Sequence, residues 1–169
     1  ALVYFEKASV LYEAFEVWER YVGCLNEMGG QFLRKGAYEE AMDYLNQALD
    51  TGRAWWGEQH PEVATSYFRL GSVYQNKGDY DQAIAYFNKA LIIRQAALGE
   101  QHPHVASCYN NLGQAYGEKG DNDQEIDFYN KSLSIRLVTQ GAQHPEVATN
   151  YNNLGTAYNS KGDHDQAIA

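Results

Sequence analysis

A 42-residue block is written three times in this chain and begun a fourth time, and that period constrains the fold more than any other feature. Gly57-Glu58-Gln59-His60-Pro61 returns at 99–103 and, with one change, as Gly141-Ala142-Gln143-His144-Pro145, each copy 42 residues after the last. The same step carries Leu70-Gly71 to Leu112-Gly113 and Leu154-Gly155, and Gly36 to Gly78, Gly120 and Gly162. A fixed period of this size describes a solenoid of helical hairpins, each unable to bury its apolar face without a neighbour.

One copy, residues 64–105, shows why each half is a helix. Tyr67, Leu70, Gly71 and Tyr74 fall on one face, and Thr65, Phe68, Ser72 and Asn76 on another, which is helical periodicity. His60-Pro61 predicts the start of this helix A, since proline suits the first helical position and the residue before it avoids helical conformation. Lys77-Gly78 predicts its end. Helix B follows, with Asp79 placed to cap it and Ala83, Ile84, Phe87, Ala90, Leu91 and Ile92 as its apolar stripe.

The expected organisation is a single solenoid over residues 1–169. It comprises an orphan helix B (1–21), repeats at 22–63, 64–105 and 106–147, and a truncated repeat at 148–169. The orphan helix is read from Ala1-Leu2-Val3-Tyr4-Phe5-Glu6-Lys7-Ala8, which matches Ala83-Ile84-Ala85-Tyr86-Phe87-Asn88-Lys89-Ala90. The junction after it lacks His-Pro and is two residues shorter than the others. Because both ends fall inside a hairpin, head-to-tail association through the truncated ends is one expectation.

Composition removes several function classes. The net charge of −9 carries no basic run, so nucleic acid and anionic membrane surfaces are poor partners. No stretch approaches the ~20 apolar residues of a membrane span. Cys24 and Cys108 lie two whole periods apart, beyond disulfide reach in a stacked array, and so read as free thiols of a reducing, cytoplasmic setting. His60, His102 and His144 recur once per repeat, so no two share a layer and no metal site is expected; their expected place is the junction between repeats. No nucleophile–base set, phosphate loop or paired-cysteine motif is present, so neither enzymatic activity nor a cofactor is expected.

The residues Tyr67, Leu70, Gly71, Tyr74, Ala83, Phe87 and Ala90, with their counterparts Tyr109, Leu112, Gly113, Tyr116, Tyr129 and Ser132, resemble the tetratricopeptide repeat pattern. The long repeat, with Tyr-Asn-Asn-Leu-Gly, Ile-Arg near the end of helix B and Gly-x-x-His-Pro, is similar to the kinesin light chain type. Glu125, where a small residue is usual, and Met28-Gly29 in place of Leu-Gly depart from the pattern.

The resemblance implies an all-α, right-handed superhelix of stacked antiparallel helix pairs that binds a partner peptide or segment in a concave groove lined by helices A. In that family the position two before the Leu-Gly leucine points into the groove, which selects Asn26, Phe68, Asn110 and Asn152. Asparagine both donates to and accepts from a peptide backbone. Four residues beyond these come Gly30, Ser72, Gln114 and Thr156, which leave room for a ligand. Trp55 and Trp56 take the places of Ala97 and Leu98, which makes Trp55 a candidate interface anchor and Trp56 a packing residue. The alternatives to a peptide-binding scaffold are a self-assembling solenoid and a regulatory or sensor segment of a larger multidomain protein.

Overall fold

The computed structural model describes the backbone of residues 2–168 and the side chains of residues 15–167. The described chain is helical throughout, in the order α1 (Leu2–Arg34), α2 (Tyr38–Trp56), α3 (Pro61–Asn76), α4 (Tyr80–Leu98), α5 (Pro103–Glu118), α6 (Asn122–Gln140), α7 (Pro145–Lys161) and the short α8 (His164–Ile168). Each helix packs against its predecessor and successor, and α1 also meets α3, as α3 meets α5. This is an α-solenoid in which odd-numbered helices play part A and even-numbered ones part B.

Local chemistry sets the helix ends. His60, His102 and His144 are N-caps: each imidazole Nδ1 accepts from the backbone N–H two residues on, at 3.3, 3.1 and 3.2 Å, with proline next in sequence. The recurrent histidines therefore act at the junctions, as the His-Pro pairs imply. Asp79, Asp121 and Asp163 cap the B helices by accepting from the N–H of Gln82, Gln124 and Gln166. Ala37 offers no such bond at the start of α2. Gly78 (φ 80°) and Gly99 (φ 85°) turn the chain through left-handed conformations that side chains resist.

Inside a hairpin the Leu-Gly pair lets the two helices approach. A Cβ on Gly71 would lie 2.7 Å from the Phe87 ring, and one on Gly113 2.8 Å from Tyr129. Leu45, Leu70, Leu112 and Phe87 are fully buried beside these contacts. In α4 and α6 an aromatic residue of helix B then packs between two of helix A, whereas Tyr44 of α2 stacks on Phe32 alone. Tyr86 lies 5.3 Å from Tyr74 and 5.9 Å from Tyr67, and Phe128 lies 5.4 Å from Tyr116 and 6.0 Å from Tyr109.

The structure corrects the sequence reading at the front of the chain. Within the expected orphan helix 1–21, the described residues 2–21 are not separate from the helix that follows; α1 runs unbroken from Leu2 to Arg34. Residues 9–22 contain neither glycine nor proline, and Trp18-Glu19 stands where the later junctions carry His-Pro, so nothing interrupts the helix. At 33 residues, α1 is about 50 Å long. Its C-terminal part pairs with α2, and residues 2–14 belong to the part leading away from that hairpin.

Glu125 is accommodated at the expense of a neighbour. Gly117 stands where the other copies carry Leu33, Gln75 and Asn159, and a Cβ there would lie 2.5 Å from the Glu125 carboxyl carbon. The half-buried carboxyl is pushed up from its ordinary range by burial and, second, by the nearby Glu118 charge.

Candidate partner-binding groove

The face proposed for ligand contact is the one where successive A helices meet, and its polar residues have unequal surroundings. Asn26 does not line an open groove. It is 2 % exposed, accepts from the Ser66 hydroxyl at 2.8 Å, and donates to the Glu62 carboxylate at 3.1 Å and the Glu62 carbonyl at 3.4 Å.

The reason lies in the next two junctions. Arg94 of α4 donates to the His104 carbonyl (3.2 Å) and contacts the Cys108 sulfur (3.3 Å); Arg136 of α6 donates to the Glu146 carbonyl (3.2 Å) and to the Asn150 side chain. Gly52 occupies the matching place in α2. Asn26 reaches the same two positions of the following helix, 62 and 66, that an arginine serves elsewhere. A buried polar group left unpaired is costly, so the amide is retained for packing.

Phe68 is also engaged in packing. Its ring lies 5.5 Å from Phe87, and the Arg94 guanidinium sits 4.5 Å above it. Gly30 leaves no room for a ligand because the Arg69 guanidinium lies over it. Ser72 is half-buried and donates to the Phe68 carbonyl at 3.2 Å.

The second half of the array is more open. Asn110 is half-buried and accepts from Asn153 across the α5–α7 boundary at 3.3 Å, while Gln114, Asn152 and Thr156 are exposed. Asn152 and Thr156 share an open cleft of about 1150 Å³ with Tyr151, Gly155, Asn159 and His164, among others. This cleft lies on the part of α7 equivalent to the surface that α6 covers on α5, where Tyr109 meets Phe128 and Gly113 meets Tyr129.

A neighbouring column was missed from sequence. Glu27, Arg69 and Asn153, one residue beyond the chosen positions, make contacts between A helices: Arg69 pairs with Glu27, and Asn153 donates to Asn110, while Asn111 at the same repeat position donates to the Ser107 carbonyl of its own helix. Opposite charges one period apart at 27 and 69 were the available signal. Glu27 and Arg69 therefore leave the first half of this face charged, and the second half carries neutral amides.

Trp55 is 51 % exposed and stacks on Trp18 at 4.8 Å, and Trp18 meets the edge of Tyr21 at 5.7 Å. Trp56 is half-buried, stacked 4.3 Å from His60 with Phe15 against it at 5.6 Å. Cys24 is exposed, Cys108 is buried, and both are free thiols. Burial raises the Cys108 thiol above its ordinary value, with the Arg94 charge opposing. Among the described residues, no helix is long and apolar enough to cross a membrane.

Known proteins place this geometry in context. The tetratricopeptide repeat family matches at residues 21–90, 62–138 and 126–169. Among curated proteins no sequence matches. Of solved structures, BtubC (BKLC) from P. vanneervenii is 27 % identical, with 97 % of this chain and 69 % of that chain covered at a TM-score of 0.81. A putative kinesin light chain of Podosopora anserina with nearly identical TPR-like repeats is 21 % identical, with 87 % and 70 % covered at a TM-score of 0.78. The apo form of RapI, 17 % identical over 88 % of this chain and 52 % of that one, shares the fold at a TM-score of 0.77. With the family matching from residue 21 to 169 and the hairpins built on its Leu-Gly and aromatic positions, the chain belongs to the tetratricopeptide repeat family.

Proposed function

We propose that this chain is a non-catalytic protein-interaction scaffold that holds an extended peptide segment of a partner against helices α5 and α7. The observation that carries this reading is the set of neutral amides there: Asn110, Gln114 and Asn152, joined by Asn111 and Asn153. Amides at helical spacing bond to peptide backbone through both N–H and C=O, which favours an extended chain over a particular sequence. Trp55, held flat against Trp18, offers an aromatic anchor for a second part of the partner. The free thiols Cys24 and Cys108 support a reducing, cytoplasmic setting.

The test is affinity selection of a displayed random-peptide library on the immobilised chain, followed by titration of the selected peptides. Asn110→Ala with Asn152→Ala is expected to keep helical content and melting behaviour, because neither residue belongs to the buried core. Each lost bond costs ~1 kcal/mol, roughly fivefold in affinity. Selected peptides that bind the double variant as tightly as the parent would remove this face from the mechanism.

A further inference from the structure

One face of α1 is uncovered where every later helix A is covered. Val63, Val105 and Val147 are each 0 % exposed, yet Tyr21 at the same repeat position is 41 % exposed. Ser66, Cys108 and Asn150 are likewise fully buried, while Cys24 is exposed. In the later repeats the preceding helix B supplies the cover. Arg94 of α4 reaches Cys108, Arg136 of α6 reaches Asn150, and Gly52 of α2 faces Val63.

The segment with helix-B sequence forms the first part of α1 itself, continuous with the rest of that helix, and so does not fold back onto the face it matches. The uncovered residues form a regular seam. The exposed Val17 (63 % exposed), Tyr21, Cys24 and Gln31, with the half-buried Met28 between them, alternate in steps of four and three, the spacing of a helix that packs along another helix. The same steps continued backwards fall on Ala14, Val10, Lys7 and Val3.

We propose that a second copy of this chain covers this face, in a reciprocal exchange that lays residues 2–14 of each α1 antiparallel along Val17–Gln31 of the other. Helix B and the next helix A are antiparallel in every later junction, so the exchanged contact repeats the native one between molecules. The register follows from the seam. Val17 lies at the two-fold axis opposite its own copy, Ala14 opposite Tyr21, Val10 opposite Cys24, and Val3 opposite Gln31. The small Ala14 thus opposes the large Tyr21, and the one charged seam position, Lys7, falls opposite Met28 and beside Glu27. A junction too short to turn back favours such an exchange. A helix contact from Val3 to Gln31, about 43 Å long, reaches the roughly 1,200–2,000 Å² of a stable interface. The contact is the same on both copies, so it closes at two.

Light scattering of the full chain across the micromolar range tests this, with an expected mass of twice 19.1 kDa. Val17→Lys sets two like charges face to face at the axis and is expected to weaken the dimer roughly a hundredfold. Because Val17 is exposed in the single chain, helical content and melting should be retained. Val17→Cys in a Cys24→Ser background should give a disulfide-linked dimer on mild oxidation. A monomer at every concentration, a dimer indifferent to Val17→Lys, or a rising series of masses, as end-to-end docking of α1 on α7 would produce, overturns the proposal.

Discussion

At the scale of single residues, Glu125 is the side chain least at ease in its place. Its carboxyl is raised above the ordinary 4.5 by burial and by Glu118, so the folded chain holds the proton more tightly than the unfolded chain does. Stability then falls as pH climbs from 4.5 through the raised value, and stays at the lower level above it. Glu125→Gln is expected to melt at a higher temperature than the parent at neutral pH, with the difference vanishing in acid below 4.5. Parallel melting curves across that range would show that the carboxyl is hydrated in the fold. Glu125 was visible in the sequence as a breach of the small-residue rule, but its remedy, Gly117, was not, because a glycine within a helix has several explanations until its neighbour is seen. Asn26 shows the opposite case. Its position matched the groove column, yet its environment was set by the absence of an arginine at Gly52, in another helix. Periodicity reports which positions are equivalent; it does not report which equivalent partner has changed.

Helix ends were the most legible features, since capping is local chemistry. His-Pro, Lys-Gly and the Asp caps each stand within a few residues of the bond they make. The exception is α1, where a repeat-by-repeat reading supplied a break that the residues do not encode. This suggests a direct experiment. Restoring the junction signal by Trp18→His with Glu19→Pro removes a helix-interior N–H and introduces a steric clash, a cost of ~3 kcal/mol or more to a continuous α1. The helix should break near residue 18, and the largest dimension of the chain in X-ray scattering should shorten. An unchanged dimension would mean that α1 is held straight by its contacts rather than by the absence of a breaker. The aromatic contacts at its middle, Phe15 on Trp56 and Trp18 on Trp55, are the ones available for that role.

Taken whole, the molecule is a row of hairpins tied to nearest neighbours. Its buried links, Asn26 to Ser66, Arg94 to Cys108 and Arg136 to Asn150, each span one junction only. Lys77–Glu39, Lys119–Asp81 and Lys161–Asp123, at 2.6, 2.5 and 2.6 Å, repeat along one edge, where their exposed carboxylates leave them worth little each. The linear architecture was legible from the period; the division of the inner face into a charged half and an amide half was not, because it depends on which side chains cross between layers. An array with only nearest-neighbour coupling opens in sections. Here the placement of one residue type becomes an instrument. The chain has three tryptophans, Trp18, Trp55 and Trp56, and all lie in the first hairpin within the aromatic stack against Tyr21, Phe15 and His60. Indole emission therefore reports on one end of the molecule, whereas circular dichroism sums over every helix. The two signals are expected to trace separate midpoints in a urea titration, and coincident curves would show that the hairpins unfold as one cooperative unit. The untouched protein thus carries a built-in optical gauge of how far order at one end depends on the rest.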